Sequence, residues 1–228
     1  MTAQAVIQAI HKGDVQSLQR LLEADPKLAS ARDANGVSAI MHALYTGKKE
    51  LVNQLLATNP KLAVAEAVAL GNEKRLLELI EETPTLVKEY WSPDGFTCLH
   101  LACFFGQKFI VDILLEKGAF VNVESRNQMK VTPLHSAASA RDFDIVRVLL
   151  EHGAHPNARQ HGGWTALQSA AMHGDQAMVK LLIKHGAKVN LQSDDGSTAE
   201  QLARKNGHED VAQLLVFAYP KSVTNGVT

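Results

Sequence analysis

The sequence predicts an all-α protein built from about seven consecutive helix-turn-helix units, each opened by a short projecting turn. Three observations predict it. First, four segments repeat one pattern: Gly95-Phe-Thr-Cys-Leu-His-Leu-Ala102, Lys130-Val-Thr-Pro-Leu-His-Ser-Ala137, Gly163-Trp-Thr-Ala-Leu-Gln-Ser-Ala170 and Gly196-Ser-Thr-Ala-Glu-Gln-Leu-Ala203, starting 35, 33 and 33 residues apart. A fixed period of this size marks stacked supersecondary units. Second, each segment leads into another apolar stretch, represented by Ile145-Val-Arg-Val-Leu-Leu150 and Met178-Val-Lys-Leu-Leu-Ile183. Third, three of these stretches close on Gly118-Ala119, Gly153-Ala154 and Gly186-Ala187, and each continues, after one variable residue, with Val-Asn or Pro-Asn.

Each unit can be justified from its residues. Thr97, Thr132, Thr165 and Thr198 precede a helical pattern, where a hydroxyl can accept hydrogen bonds from free backbone N–H groups. Leu99, Leu134 and Leu167 lie three residues before Ala102, Ala137 and Ala170, so each pair shares one helix face. The alanines allow neighbouring units to approach closely. Gly118, Gly153 and Gly186 suit the left-handed conformation that ends a helix.

On these motifs the chain resembles the ankyrin-repeat family, with its 33-residue period and Thr-Pro-Leu-His-x-Ala signature. The match at Thr132-Pro133-Leu134-His135-x-Ala137 is complete. The resemblance covers residues 1 to about 217 and implies a solenoid with short β-hairpin-like fingers.

The amino-terminal half is a variant. Gly36-Val-Ser-Ala-Ile-Met-His-Ala43 matches the turn and first helix, with Ser38 in the threonine place. Residues 9–22 read as a first repeat without its turn. Here the second helices end on Asp25-Pro-Lys-Leu28, Asn59-Pro-Lys-Leu62 and Thr83-Pro-Thr-Leu86, because proline cannot continue a helix and disfavours helix in the residue before it. The prolines are spaced 34 and then 24 residues. The short interval predicts a third repeat without a finger, its helices at 63–70 and 73–80. Helix pairs are expected around Gly13, Gly47, Gly71, Gly106, Arg141, Gly174 and Gly207, with Arg141 replacing the usual glycine. No linker divides the array, so residues 1–217 read as one domain and 218–228 as a flexible tail.

Composition narrows the function. Of 228 residues, 46% are hydrophobic and 21% charged, as in ordinary globular proteins. The net charge of −1 supplies no field for nucleic acid or an anionic membrane. No apolar run approaches the roughly 18 residues of a membrane span, and the first ten residues lack the features of a secretory signal. Two cysteines, Cys98 and Cys103, rule out a disulfide framework and suit a reducing, cytoplasmic setting. They are five apart on one helix, so they diverge, and both read as small buried hydrophobes.

The ten histidines do not assemble a metal site by spacing. His100 and His135 share the signature place, and His152 and His185 share the place before Gly-Ala; repetition implies a structural task such as bonding turn carbonyls. His155 and His161 are irregular and expected at the surface. No phosphate loop, nucleophile elbow or zinc motif occurs. No cofactor, metal or catalytic residue is expected.

In the family, fingers and first-helix ends build a concave groove that binds proteins. The positions that the resemblance assigns to the groove hold Asp94, Phe96, Phe104 and Phe105 in one repeat, with Trp91 just upstream. Met129 follows in the next repeat, and Trp164, Met172 and His173 in the one after. The chain holds only seven Phe, three Tyr and two Trp, and Tyr45, Phe96, Phe104, Phe105 and Trp164 fall on these positions. Exposed aromatics mark interaction surfaces; the alternative is that they pack on one another or fill gaps beside the shortened repeat. The expected function is a monomeric adaptor, scaffold or inhibitor that binds a protein. The alternative is a regulatory or targeting subunit of an enzyme system, with catalysis on the partner.

Overall fold

A computed structural model of the chain describes residues 2–91 and 95–218. Contacts divide the chain into two compact units, residues 1–98 and 99–228. Among the described residues there are fourteen α-helices, which follow one another along the chain as seven consecutive pairs.

In the first unit the pairs are α1 (Ala3–Lys12) with α2 (Val15–Ala24), α3 (Ala39–Tyr45) with α4 (Lys49–Ala57), and α5 (Val64–Ala69) with α6 (Glu73–Glu82). Helix α7 (Cys98–Phe104) begins at the boundary and pairs with α8 (Lys108–Glu116). The second unit continues with α9 (Pro133–Ser139) and α10 (Phe143–Glu151), α11 (Ala166–Met172) and α12 (Gln176–Lys184), and α13 (Ala199–Lys205) and α14 (Glu209–Ala218). Within the first unit α1, α3 and α5 stack in sequence; within the second, α9, α11 and α13 do. The residue between the two helices of each pair has positive φ: glycine in six pairs, Arg141, at φ 58°, in the fifth.

Side-chain caps start most helices. Thr165 and Thr198 form reciprocal boxes with Gln168 and Gln201, and Thr132 does so with His135. Four of the second helices, α2, α6, α10 and α12, are capped by carboxylates or an amide. Asp14, Asn72, Asp142 and Asp175 accept backbone N–H bonds at 2.9–3.0 Å. The expected interface alanines are buried: Ala102 and Ala137 are fully enclosed and Ala170 nearly so.

Successive loops are tied by asparagines. Asn122 donates to the Gly153 carbonyl and accepts from His155 N–H; Asn157 does the same with Gly186 and Lys188. These are the asparagines of the Val-Asn and Pro-Asn endings. Fingers also join backbone to backbone, with His161 N–H on Met129 C=O and Asp194 N–H on Gly162 C=O, both at 2.8 Å.

The amino-terminal half behaves as its prolines dictate. Pro26–Ser30 and Pro84–Lys88 form 3₁₀ turns that end α2 and α6. After Pro60 the chain passes straight into α5, whose N-cap, Ala63, makes no side-chain cap bond. The third repeat therefore has no finger. The fingers that do form are slighter than hairpins: single antiparallel bridges pair Arg32 with Ser38, Tyr90 with Thr97 and Gln192 with Thr198, and there is no strand among the described residues. Ala218 ends α14; residues 219–228, most of the expected tail, lie outside the described residues.

Candidate interaction surface

The third position of α7, α9 and α11 organises the frame on which the candidate side chains sit. There His100 Nε2–H donates to the Val131 carbonyl at 2.9 Å. His135 Nε2–H reaches the Ala158 and Trp164 carbonyls, while its Nδ1 accepts the Thr132 N–H at 3.1 Å. Gln168 holds the Leu191 and Ser197 carbonyls in the same manner. His135 and Gln168 thus cap their own helices and fasten the following finger. Burial pushes His100 down to about 4 and also lowers His135, so both rings are neutral at physiological pH. Their repetition reflects structure, as the spacing implied.

Four candidate groove residues are half-buried or exposed in the second unit's first stretch. Phe104 is 49% exposed and meets Phe105 edge to face, with ring centroids 5.1 Å apart; Phe105 is half-buried. Met129 is 47% exposed at a finger tip. Trp164 is half-buried. Its indole lies over Gly162, where a Cβ would sit 3.2 Å from Cδ1, and Gly162 is at φ 77°. The glycine both allows the turn and leaves room for the ring. Further along, Met172 is half-buried and His173 is exposed, its Nδ1–H donating to the Ser169 carbonyl at 2.8 Å.

The first unit contains Trp91 and Phe96. Trp91 is 37% exposed, and its Nε1–H donates to the Leu86 carbonyl at 2.8 Å; the half-buried Phe96 accepts the Trp91 backbone N–H at 3.0 Å. Asp94 lies outside the described residues. Of the candidate aromatics, Phe96, Phe105 and Trp164 are half-buried. Each is half-buried because the finger and first-helix end give its ring a neighbouring surface to cover.

Other exposed aromatics escaped the sequence reading. Phe109 is 70% exposed and Phe143 38%, both at the start of second helices, and Phe120 is exposed in the loop after α8. The helical stripe could have found the first: Ile110, Val111 and Leu114 form the buried face of α8, and Phe109 falls beside it. Cys98 and Cys103 are buried; burial raises the Cys98 thiol to about 12 and holds the Cys103 thiol well above its ordinary value. Neither thiol supplies a nucleophile near neutral pH. Among the described residues, no group of three or more His, Cys, Asp or Glu is arranged to hold a metal ion. No described helix is long and apolar enough to cross a membrane.

Comparison with known families settles the frame. A model of ankyrin repeats in three copies matches residues 64–160 and again 158–225. The chain belongs to the ankyrin-repeat family. Individual relatives match short stretches. The ankyrin repeat and KH domain-containing protein mask of Drosophila melanogaster is 47% identical over 62 residues, 27% of this chain and 2% of that protein. The ADP-ribosylation factor GTPase-activating protein AGD4 of Arabidopsis thaliana is 35% identical over 69 residues, 30% of this chain and 9% of its own length. A putative ankyrin repeat protein of Rickettsia bellii is 45% identical over 58 residues, 25% of this chain and 23% of that protein. The chain therefore spans only a small part of the relatives it matches. Ankyrin repeats are in general protein-interaction modules.

Proposed function

We propose that this ankyrin-repeat chain is a monomeric, cytoplasmic interaction module that docks a protein partner on its finger and first-helix surface and carries out no catalysis itself. The observation that carries the reading is the placement of Phe104 and Met129. Both are large apolar side chains left about half exposed at groove positions of consecutive repeats in the second unit, on a frame fastened by side chains at the third helix position. Half-exposed anchors on a pre-ordered frame lose little entropy on docking. The proposed docking residues are Trp91, Asp94, Phe96, Phe104, Phe105, Met129, Trp164, Met172 and His173. Neither nucleic acid nor a membrane fits a surface of such small net charge.

A narrower version makes the chain a regulatory or targeting subunit. It draws on two Arabidopsis relatives, named as a GTPase-activating protein and as a serine/threonine-protein kinase. Affinity capture with the full chain tests the main reading. A protein retained by the parent and lost with Phe104→Ala and Met129→Ala supports it. Retention unchanged by both variants would sink this surface as the docking site.

A further inference from the structure

We infer that a cavity in the first unit, lined in part by Glu66, receives a lysine side chain of the partner protein; the inference rests on the interaction reading above and names one element of what is recognised. The cavity has a volume of about 230 Å³ and is lined by residues of the second finger, of α3 and α5, and of the segment ahead of α7, including Arg32, Tyr45, Glu66, Tyr90 and Trp91.

Glu66 departs from its row. It occupies the third position of α5, where α7, α9, α11 and α13 hold His100, His135, Gln168 and Gln201, and α1 and α3 hold Ala5 and Met41. His135 and Gln168 combine an acceptor for their own helix cap with a donor for the carbonyls of the next finger. An ionised carboxylate accepts only, so Glu66 cannot fasten a finger. Its Oε1 instead accepts from Arg32 Nη2 at 3.1 Å, while Arg32 Nη1 donates to the Gly36 carbonyl. Its Oε2 is buried and has no hydrogen-bond partner among the described residues. The side chain is 3% exposed, whereas Arg32 is 49% exposed. A buried carboxylate oxygen without a donor is costly, and no fastening role offsets that cost here.

The surroundings point to the missing donor. Tyr45 and Trp91 are 42% and 37% exposed, and both line the cavity; aromatic faces attract a cation. Arg32 already holds one oxygen, so the two-pronged approach of a guanidinium to both oxygens is blocked. A compact ammonium needs only the remaining one. Lysine therefore fits better than arginine, and a neutral chain of the same length lacks the charge that Glu66 would answer.

The probe is the tripeptide acetyl-Gly-Lys-Gly-amide, titrated into the full chain while the Trp91 indole N–H resonance is followed by NMR and assigned with Trp91→Phe. A saturable shift with a dissociation constant of about 10 mM or tighter is expected. The norleucine tripeptide should give no saturable shift, and the arginine tripeptide should bind at least about five-fold more weakly. E66Q, which keeps the side chain's shape, should weaken lysine binding at least about ten-fold while retaining the parent's melting temperature. R32Q frees the second oxygen and should tighten lysine binding, a change of opposite sign that no unfolding could mimic. Absence of saturation, equal binding of norleucine, preference for arginine or indifference to E66Q would each overturn the proposal. Partner capture that depends on Phe104 and Met129 but persists alongside such a failure would leave the docking surface standing and remove only the lysine pocket.

Discussion

At the scale of single residues, the buried histidines make the array acid-sensitive. His100 titrates at about 4 in the folded chain against 6.5 ordinarily, because burial opposes its charged form. The unfolded chain therefore takes the proton first. This contribution to stability is complete above pH 6.5, is lost progressively as pH falls towards 4, and changes little below that. His135 acts in the same direction, and protonating its Nδ1 would place two donors face to face at Thr132. Denaturation midpoints should fall between pH 7 and 4.5. His100→Gln and His135→Gln should flatten that fall, since glutamine performs the same bonding in α11. A second residue-scale expectation concerns Arg141, held at φ 58° with an exposed side chain. Left-handed backbone costs a residue with a Cβ about 1–2 kcal/mol; Arg141→Gly should raise stability by about 1 kcal/mol in chemical denaturation.

At the scale of elements, α5 shows what a missing finger does. The first helix of the preceding repeat, α3, begins on the hydroxyl of Ser38, but Ala63 offers none. Ala63→Thr would supply the first half of a capping box with Glu66 three residues on, and such caps contribute about 0.5–2 kcal/mol. A rise in melting temperature without change in helix content is the expected result. Helix contacts between repeats are tighter. Ala137→Leu and Ala170→Leu should each cost about 1–3 kcal/mol by overpacking, and because repeats couple to their neighbours the loss of amide protection should begin around the altered repeat. Hydrogen exchange that remains unchanged would mean that the alanine face is not the contact. The alanines and threonine caps were legible in the sequence because period and capping are local. The Asp and Asn caps of the second helices were equally local and were overlooked; Asp14, Asn72, Asp142 and Asp175 each stand one residue after the inter-helix position.

At the scale of the whole molecule, stability and binding should separate. Phe104→Ala removes a half-exposed ring and should change stability by about 0.5 kcal/mol or less, as surface substitutions do, yet weaken partner binding by about 2 kcal/mol if the ring is an anchor. Trp164→Ala should fall between a surface and a core substitution, because its indole rests on Gly162; the cost should stay below the about 3–5 kcal/mol of a core aromatic. Calorimetry on both variants, together with partner titration, checks this. A loss of several kcal/mol in folding for Phe104→Ala would return the ring to the core and remove it from the binding surface.

The sequence by itself determined the family, the seven helix pairs, their inter-helix turns and the repeat without a finger. Each follows from short-range physics: proline geometry, positive φ at glycine, hydroxyl caps and the spacing of apolar residues on one helix face. Only the tertiary structure decided how far each aromatic is buried, since that depends on which surface the neighbouring finger presents. Phe104 stays half exposed while the adjacent Phe105 turns partly inward, and Phe109 stands out on a second helix. The structure alone also revealed Glu66. Its identity is visible in the sequence, but its significance comes from a bond to Arg32, 34 residues away, and from an oxygen that burial leaves without a donor. Burial and hydrogen-bond satisfaction are properties of the folded neighbourhood, set by residues distant in the chain, and periodicity carries no record of them.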